Sequence, residues 1–199
     1  MEADWEVEVG GGAPVIDALW PGFVDLRRSP ERIGEIAEGQ RFPPLASLLL
    51  ELNGPASPLW TAKCDLWEPD PAELAGTEAA GALSRAALAC HPAQACYIDL
   101  LPLEQEVYAQ WQQAEAVCRE WVSRLAPIPL PQCRVDFVVR QAFAGEAQGF
   151  GITAYLSAMG QPGDRGRTGS ADALAAAMAA FRSAAPVIAA PASPVSKLQ

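Results

Sequence analysis

Hydrophobic and polar positions alternate with a period of two in several short stretches of the chain. In "DWEVEVG" (4–10), Trp5, Val7 and Val9 fall on one side and Asp4, Glu6 and Glu8 on the other, as in a half-buried strand. "GGG" (10–12) and Pro14 follow as a turn. Further strands are predicted over 22–28 ("GFVDLRR"), 57–67, 93–103, 132–142 and 149–158, with the six residues "FAGEAQ" as a hairpin loop between the last two. Helical signals lie between them. Ser29 and Pro30 open a short helix over 29–38; Pro43 and Pro44 open a second over 42–54, which Asn53-Gly54 closes. Asp70, Pro71 and Glu73 start a third over 70–90. The clearest helix spans 104–127, where Val107, Trp111, Ala114, Cys118, Trp121 and Leu125 make one apolar stripe. Ser170 caps an alanine-rich helix over 171–185, with Asp172 near its positive end. This order predicts an α+β fold, with one largely antiparallel or mixed sheet of about five to six strands and helices packed on one face. The expected organisation is a single globular domain over 1–185 and a disordered Pro/Ala/Ser tail over 186–199.

Four of the predicted strands carry an aspartate inside an apolar run: Asp25, Asp65, Asp99 and Asp136. Alternation decides which face each one takes. Arg134, Asp136, Val138 and Arg140 fall together, opposite Val135, Phe137 and Val139. Thr61, Lys63, Asp65 and Trp67 share a face, as do Phe23, Asp25 and Arg27, and likewise Thr153, Tyr155 and Ser157. The plainest reading puts these residues on the side of the sheet away from the helices, with acids paired to Arg or Lys. Asp99 differs, because its face-mates are Tyr97 and Leu101 and the opposite face is also apolar. A carboxylate in such a strand is costly to bury unless it is paired. The candidate ligand-binding residues are therefore Asp99 and Tyr97, joined on one polar shelf by Lys63, Asp65, Arg134, Asp136, Arg140 and Tyr155.

Charge narrows the partners. The chain has 199 residues, 14 Lys and Arg against 24 Asp and Glu, and a net charge of −10. That argues against nucleic acid and anionic membranes, which need clustered cations. No apolar run approaches a membrane span and the acidic N-terminus is not a signal peptide, so the expected location is cytoplasmic. Five cysteines without a C-x-x-C pair and a single histidine, His91, give no metal-ligand spacing, and no cofactor is expected. His91 reads as a helix-capping residue, and the serines lack the G-x-S-x-G elbow. The loop "GQPGDRGRTGS" (160–170) departs from the Walker pattern in spacing and in having Arg167 for its lysine. Gly163, Arg165 and Arg167 nonetheless make it a candidate anion cradle. Trp67 on the polar face and Trp20 before Pro21-Gly22 are either interface anchors or plugs for the sheet edge. Two function classes follow. One is a non-catalytic binding or accessory protein that engages a protein partner, or its own copy, through the sheet face. The other is a small-molecule binder or enzyme with a site around Asp99 and the Arg loop. With no catalytic constellation recognisable, the first is preferred.

Overall fold

Among the described residues, the alternating segments assemble into one mixed sheet of six strands, with four helices packed against it. The computed structural model describes residues 1–70, 93–104, 108–160 and 168–185. The predicted helix over 70–90 (apart from Asp70), His91, the Arg loop with Gly163, Arg165 and Arg167, and the tail over 186–199 lie outside the described residues.

The strands are β1 (Glu2–Glu8), β2 (Ile16–Asp17), β3 (Leu59–Trp67), β4 (Ala93–Pro102), β5 (Cys133–Ala144) and β6 (Ala147–Met159). The order across the sheet is β1-β5-β6-β4-β3, with β2 also pairing with β5. β1 and β2 run parallel to β5, and the other pairings are antiparallel. The helices are α1 (Ala37–Arg41), α2 (Pro43–Leu52), α3 (Trp111–Leu125) and α4 (Thr168–Ala184).

The core lies between one sheet face and the helices. Val135, Phe137 and Val139 of β5, Ile152, Ala154 and Leu156 of β6, and Cys96, Ile98 and Leu100 of β4 are all fully buried there. α3 contributes Ala114, Cys118, Trp121 and Leu125, the predicted stripe. Its start is at Trp111, where Gln110 and Gln113 form a reciprocal capping box. Trp121 packs on Phe137 and Phe181 at centroid distances of 5.1 and 5.6 Å, which ties α3, β5 and α4 into one aromatic cluster.

Several boundaries differ from the pattern, each for a local reason. Residues 22–28 are not a strand. Asp25 turns the chain on itself, accepting the backbone N–H of Arg27 at 3.1 Å and holding its guanidinium at 2.8 and 2.9 Å. Such local side-chain bonds compete with a sheet ladder and here they win. The predicted helix over 29–38 is a 3-10 turn, Pro30–Glu35, followed by α1, and Ser29 makes no side-chain cap. The hairpin loop shrinks to Gly145-Glu146, because Ala144 still pairs with Ala147 and Gly145 takes the left-handed φ of 67° that a two-residue turn requires. Ser170 lies inside α4 rather than capping it.

β3 carries a bulge between Thr61 and Cys64. Thr61 therefore leaves the face of Lys63, Asp65 and Trp67, and turns inward to Asn53. The Asn53 side chain accepts from Thr61 N at 3.1 Å and donates to its Oγ1 at 2.6 Å.

Candidate functional site

The outer sheet face has two parts. At one end a second apolar cluster forms from Ile16, Ala18, Trp60, Ala62, Leu101 and Ala142, with Phe23 packed on it. It exists because the chain after β2 crosses the sheet from the β5 side to β3. Ala18 N donates to Phe143 O at 2.8 Å at the start of the crossing, and the Trp20 indole donates to Ala62 O at 3.0 Å at the far side. Gly151 makes room for it: a Cβ there would lie 2.8 Å from Ile16 Cδ1. Trp20 is thus an edge plug, the plainer of its two readings.

Beyond this roof the face is polar, and among the described residues no further element covers it. Register places Asp4, Asp136, Tyr155, Tyr97 and Asp65 in one cross-strand row. Glu2, Arg134, Ser157, Ala95 and Trp67 form the next. Six of the candidate residues, Tyr97, Asp65, Arg134, Asp136, Arg140 and Tyr155, therefore share this face, as alternation requires. Lys63 and Asp99 sit beside them, toward the roof. Asp25 and Arg27 do not belong to it. They pair with each other in their turn, with the Arg27 guanidinium 3.8 Å from the Trp60 ring. The Arg27 guanidinium holds the Asp25 carboxyl below its usual value, against an opposing effect of burial.

The ion pairs are specific. Arg134 grips Asp136 with two bonds of 2.6 and 2.7 Å and also reaches Glu2. Arg140 donates to Glu8 at 2.8 and 3.0 Å, to the Tyr155 hydroxyl at 2.9 Å and to Thr153 Oγ1 at 3.2 Å. Thr153 in turn donates to Asp99 Oδ1 at 2.6 Å. Asp99 is only 8% exposed, and burial raises its carboxyl pKa. The Thr153 hydrogen bond and the charges of Arg140 and Lys63 oppose that rise. Asp99 is thus compensated through Thr153, with Arg140 behind it, rather than by a direct ion pair. Burial likewise raises the Tyr97 phenol, with the Asp99 and Asp65 carboxylates adding to the effect.

A groove of about 640 Å³ runs along the face. Its lining includes Asp4, Glu6 and Glu8 from β1, Arg134, Asp136 and Arg140 from β5, Tyr155 and Ser157 from β6, and Trp67 from β3. A second cavity, about 370 Å³, lies at the β3 bulge between Trp20, Lys63, Cys64, Tyr97 and Glu38. Asp99 lines neither of the two. Trp67, Tyr97 and Tyr155 make a continuous aromatic ladder, with centroids 6.2 and 5.8 Å apart. The acids of β1 were missed as partners of the face. Their signal was present, since β1 alternates strictly, but the long-range pairing that sets Glu8 on Arg140 spans 132 positions.

The described cysteines are free. Burial pushes the Cys64 thiol up to about 12 and raises those of Cys96 and Cys118 further, so none of these is poised as a nucleophile. Among the described residues, no group of three or more His, Cys, Asp or Glu is placed to hold a metal ion, and no helix is long and apolar enough to cross a membrane.

Comparison with known proteins finds no match to the chain: no family model, no characterised protein and no solved structure.

Proposed function

We propose that this chain is a non-catalytic binding or accessory protein that engages a protein partner through its outer sheet face. One observation carries the reading. Helices cover one side of the sheet, while the other side presents a groove of about 640 Å³ that no other described element covers, lined by Trp67 and Tyr155, the two ends of the aromatic ladder that Tyr97 joins. Aromatic rings that combine large area with few rotatable bonds are typical anchors for a partner. Catalysis around Asp99 has less support. Its carboxyl is covered and already bonded to Thr153, and Asp136 and Glu8 in the groove are held by arginines.

The test is site-specific photocrosslinking. A photoreactive residue in place of Ser157 should join the chain to a discrete partner in its native cytosol, and the same residue in place of Arg124 on the helix side should not. Trp67→Ala should remove the adduct. Equal adducts from both positions, or adducts indifferent to Trp67, would reject the face as the binding surface.

A further inference from the structure

We infer that the occupant of the outer face is a basic peptide segment of another protein, whose Lys or Arg side chains lie between the acidic wall of β1 and the aromatic ladder. This rests on the reading of the face as a partner-binding surface, and it names the partner's chemistry.

The charge balance of the groove supports it. Four carboxylates (Asp4, Glu6, Glu8, Asp136) line it against two guanidiniums (Arg134, Arg140). Both guanidiniums are already engaged, Arg134 by Asp136 and Glu2, Arg140 by Glu8. Asp4 and Glu6 are exposed, and among the described residues no cation lies within ion-pair distance of either. The groove thus keeps unmatched negative charge after its internal pairs are formed. Opposite that wall stand Tyr155 and Trp67, whose ring faces attract ammonium and guanidinium groups. The site already shows this contact once, with the Arg140 guanidinium 5.6 Å from the Tyr155 ring centre. Acid and aromatic surface on the two sides of one groove match a side chain with an apolar stem and a cationic head.

A second copy of this chain fits poorly. Docked face to face it would set acids against acids, in a chain whose net charge is −10. Phosphate-bearing ligands meet the same repulsion.

The experiment titrates the ¹⁵N-labelled full chain, at physiological salt, with a short peptide of alternating lysine and serine. The same peptide with acetylated lysines and a glutamate–serine peptide are run beside it. The lysine peptide should shift the Trp67 indole and the amides of Glu6 and Ser157. Acetylation should weaken binding at least ~tenfold, as loss of several complementary charges does. Asp4→Asn with Glu6→Gln should weaken it about tenfold, and Glu31→Gln with Glu146→Gln, an equal charge change outside the groove, by less than about twofold. Equal weakening by the two double variants would reduce the effect to net charge and overturn the inference. So would failure of the lysine peptide to bind. If the acetylated or glutamate peptide occupies the face as tightly, the basic partner is refuted while the face remains a binding surface. If the lysine peptide shifts residues elsewhere and leaves the face unmoved, both readings fail.

Discussion

Thr153→Val removes one oxygen from the centre of the polar face and keeps the side chain's shape. Thr153 is fully buried; its hydroxyl accepts from Arg140 at 3.2 Å and donates to Asp99 at 2.6 Å. Arg140 keeps its bonds to Glu8 and Tyr155 in the variant, so the loss falls on Asp99. A hydrogen bond to an ionised carboxylate contributes about 1.5–3 kcal/mol, and one to a neutral acceptor about 0.5–1.5 kcal/mol. The cost of Thr153→Val should therefore be about 2–3 kcal/mol where Asp99 is ionised and about 1 kcal/mol where it is protonated. The pH dependence has a definite sign. Burial raises the Asp99 carboxyl above its unfolded value of 3.8. A raised acid contributes stability that is complete below the unfolded pKa and is lost as pH rises through the folded one. Removing the Thr153 donor extends that rise, so the variant's deficit grows with pH across the window. Urea unfolding followed by tryptophan fluorescence, near neutrality and at the lowest pH where the wild type still unfolds cooperatively, measures it. In an Asp99→Asn background the same change should cost about 1 kcal/mol at both pH values, giving a coupling of roughly 1–2 kcal/mol wherever Asp99 is ionised. An equal deficit at both pH values, or one undiminished in the Asp99→Asn background, would refute the argument that Thr153 compensates a buried charge.

Other outcomes follow from the packing. Gly151→Ala places a Cβ 2.8 Å from Ile16 Cδ1 and 2.9 Å from Leu100 O, so it should cost about 1–3 kcal/mol and lower Tm in calorimetry. Trp121→Ala should cost about 3–5 kcal/mol in denaturant unfolding, as loss of a fully buried indole does. Trp121→Phe should cost only about 1–2 kcal/mol, because the indole N–H has no hydrogen-bond partner among the described residues and the phenyl ring removes a buried orphan donor. Cys64, Cys96 and Cys118, all raised by burial, should resist iodoacetamide near neutral pH in the native chain and react once it is unfolded, as read by peptide mass mapping.

The core was legible because its two periods are strong. The stripe Ala114, Cys118, Trp121, Leu125 could only face a partner layer, and Val135, Phe137 and Val139 could only share a side. What escaped reading was set by local chemistry or by distance along the chain. "FVDLR" alternates as a strand does, yet Asp25 satisfies Arg27 locally and bends it away. β2 is two residues long, too short to leave a period. The bulge in β3 depends on Asn53, eight positions earlier, gripping Thr61. Alternation placed Asp65, Asp136 and Tyr155 on one face correctly, but it could not show that Asp99 would be covered. The crossing segment that roofs the neighbouring part of that face packs through contacts far apart in sequence.

The edges of the sheet explain why its face, and not its border, is offered to a partner. An open edge would present unpaired backbone groups and invite an added strand. Here side chains satisfy several of them. On β3, Asn53 accepts from Thr61 N, Trp20 donates to Ala62 O, Asp65 accepts from Leu66 N at 2.7 Å and Arg41 donates to Leu66 O at 3.3 Å. On β1, Asp4 Oδ1 accepts from Trp5 N at 2.8 Å, and Arg119 of α3 lies 4.5 Å from the Trp5 ring. Asp4 and Asp65 stand at the two ends of the same cross-strand row, each turning an oxygen to its own edge. They leave between them Asp136, Tyr155 and Tyr97. A partner that adds a strand would have to displace those bonds, whereas one that lies across the row meets half-buried rings and carboxylates at no such cost. Replacing Asp65 with Ala separates the two modes. It frees Leu66 N, so edge addition should strengthen or appear as a concentration-dependent rise in mass by light scattering. Binding across the face should hold within about threefold, the loss of one exposed charge.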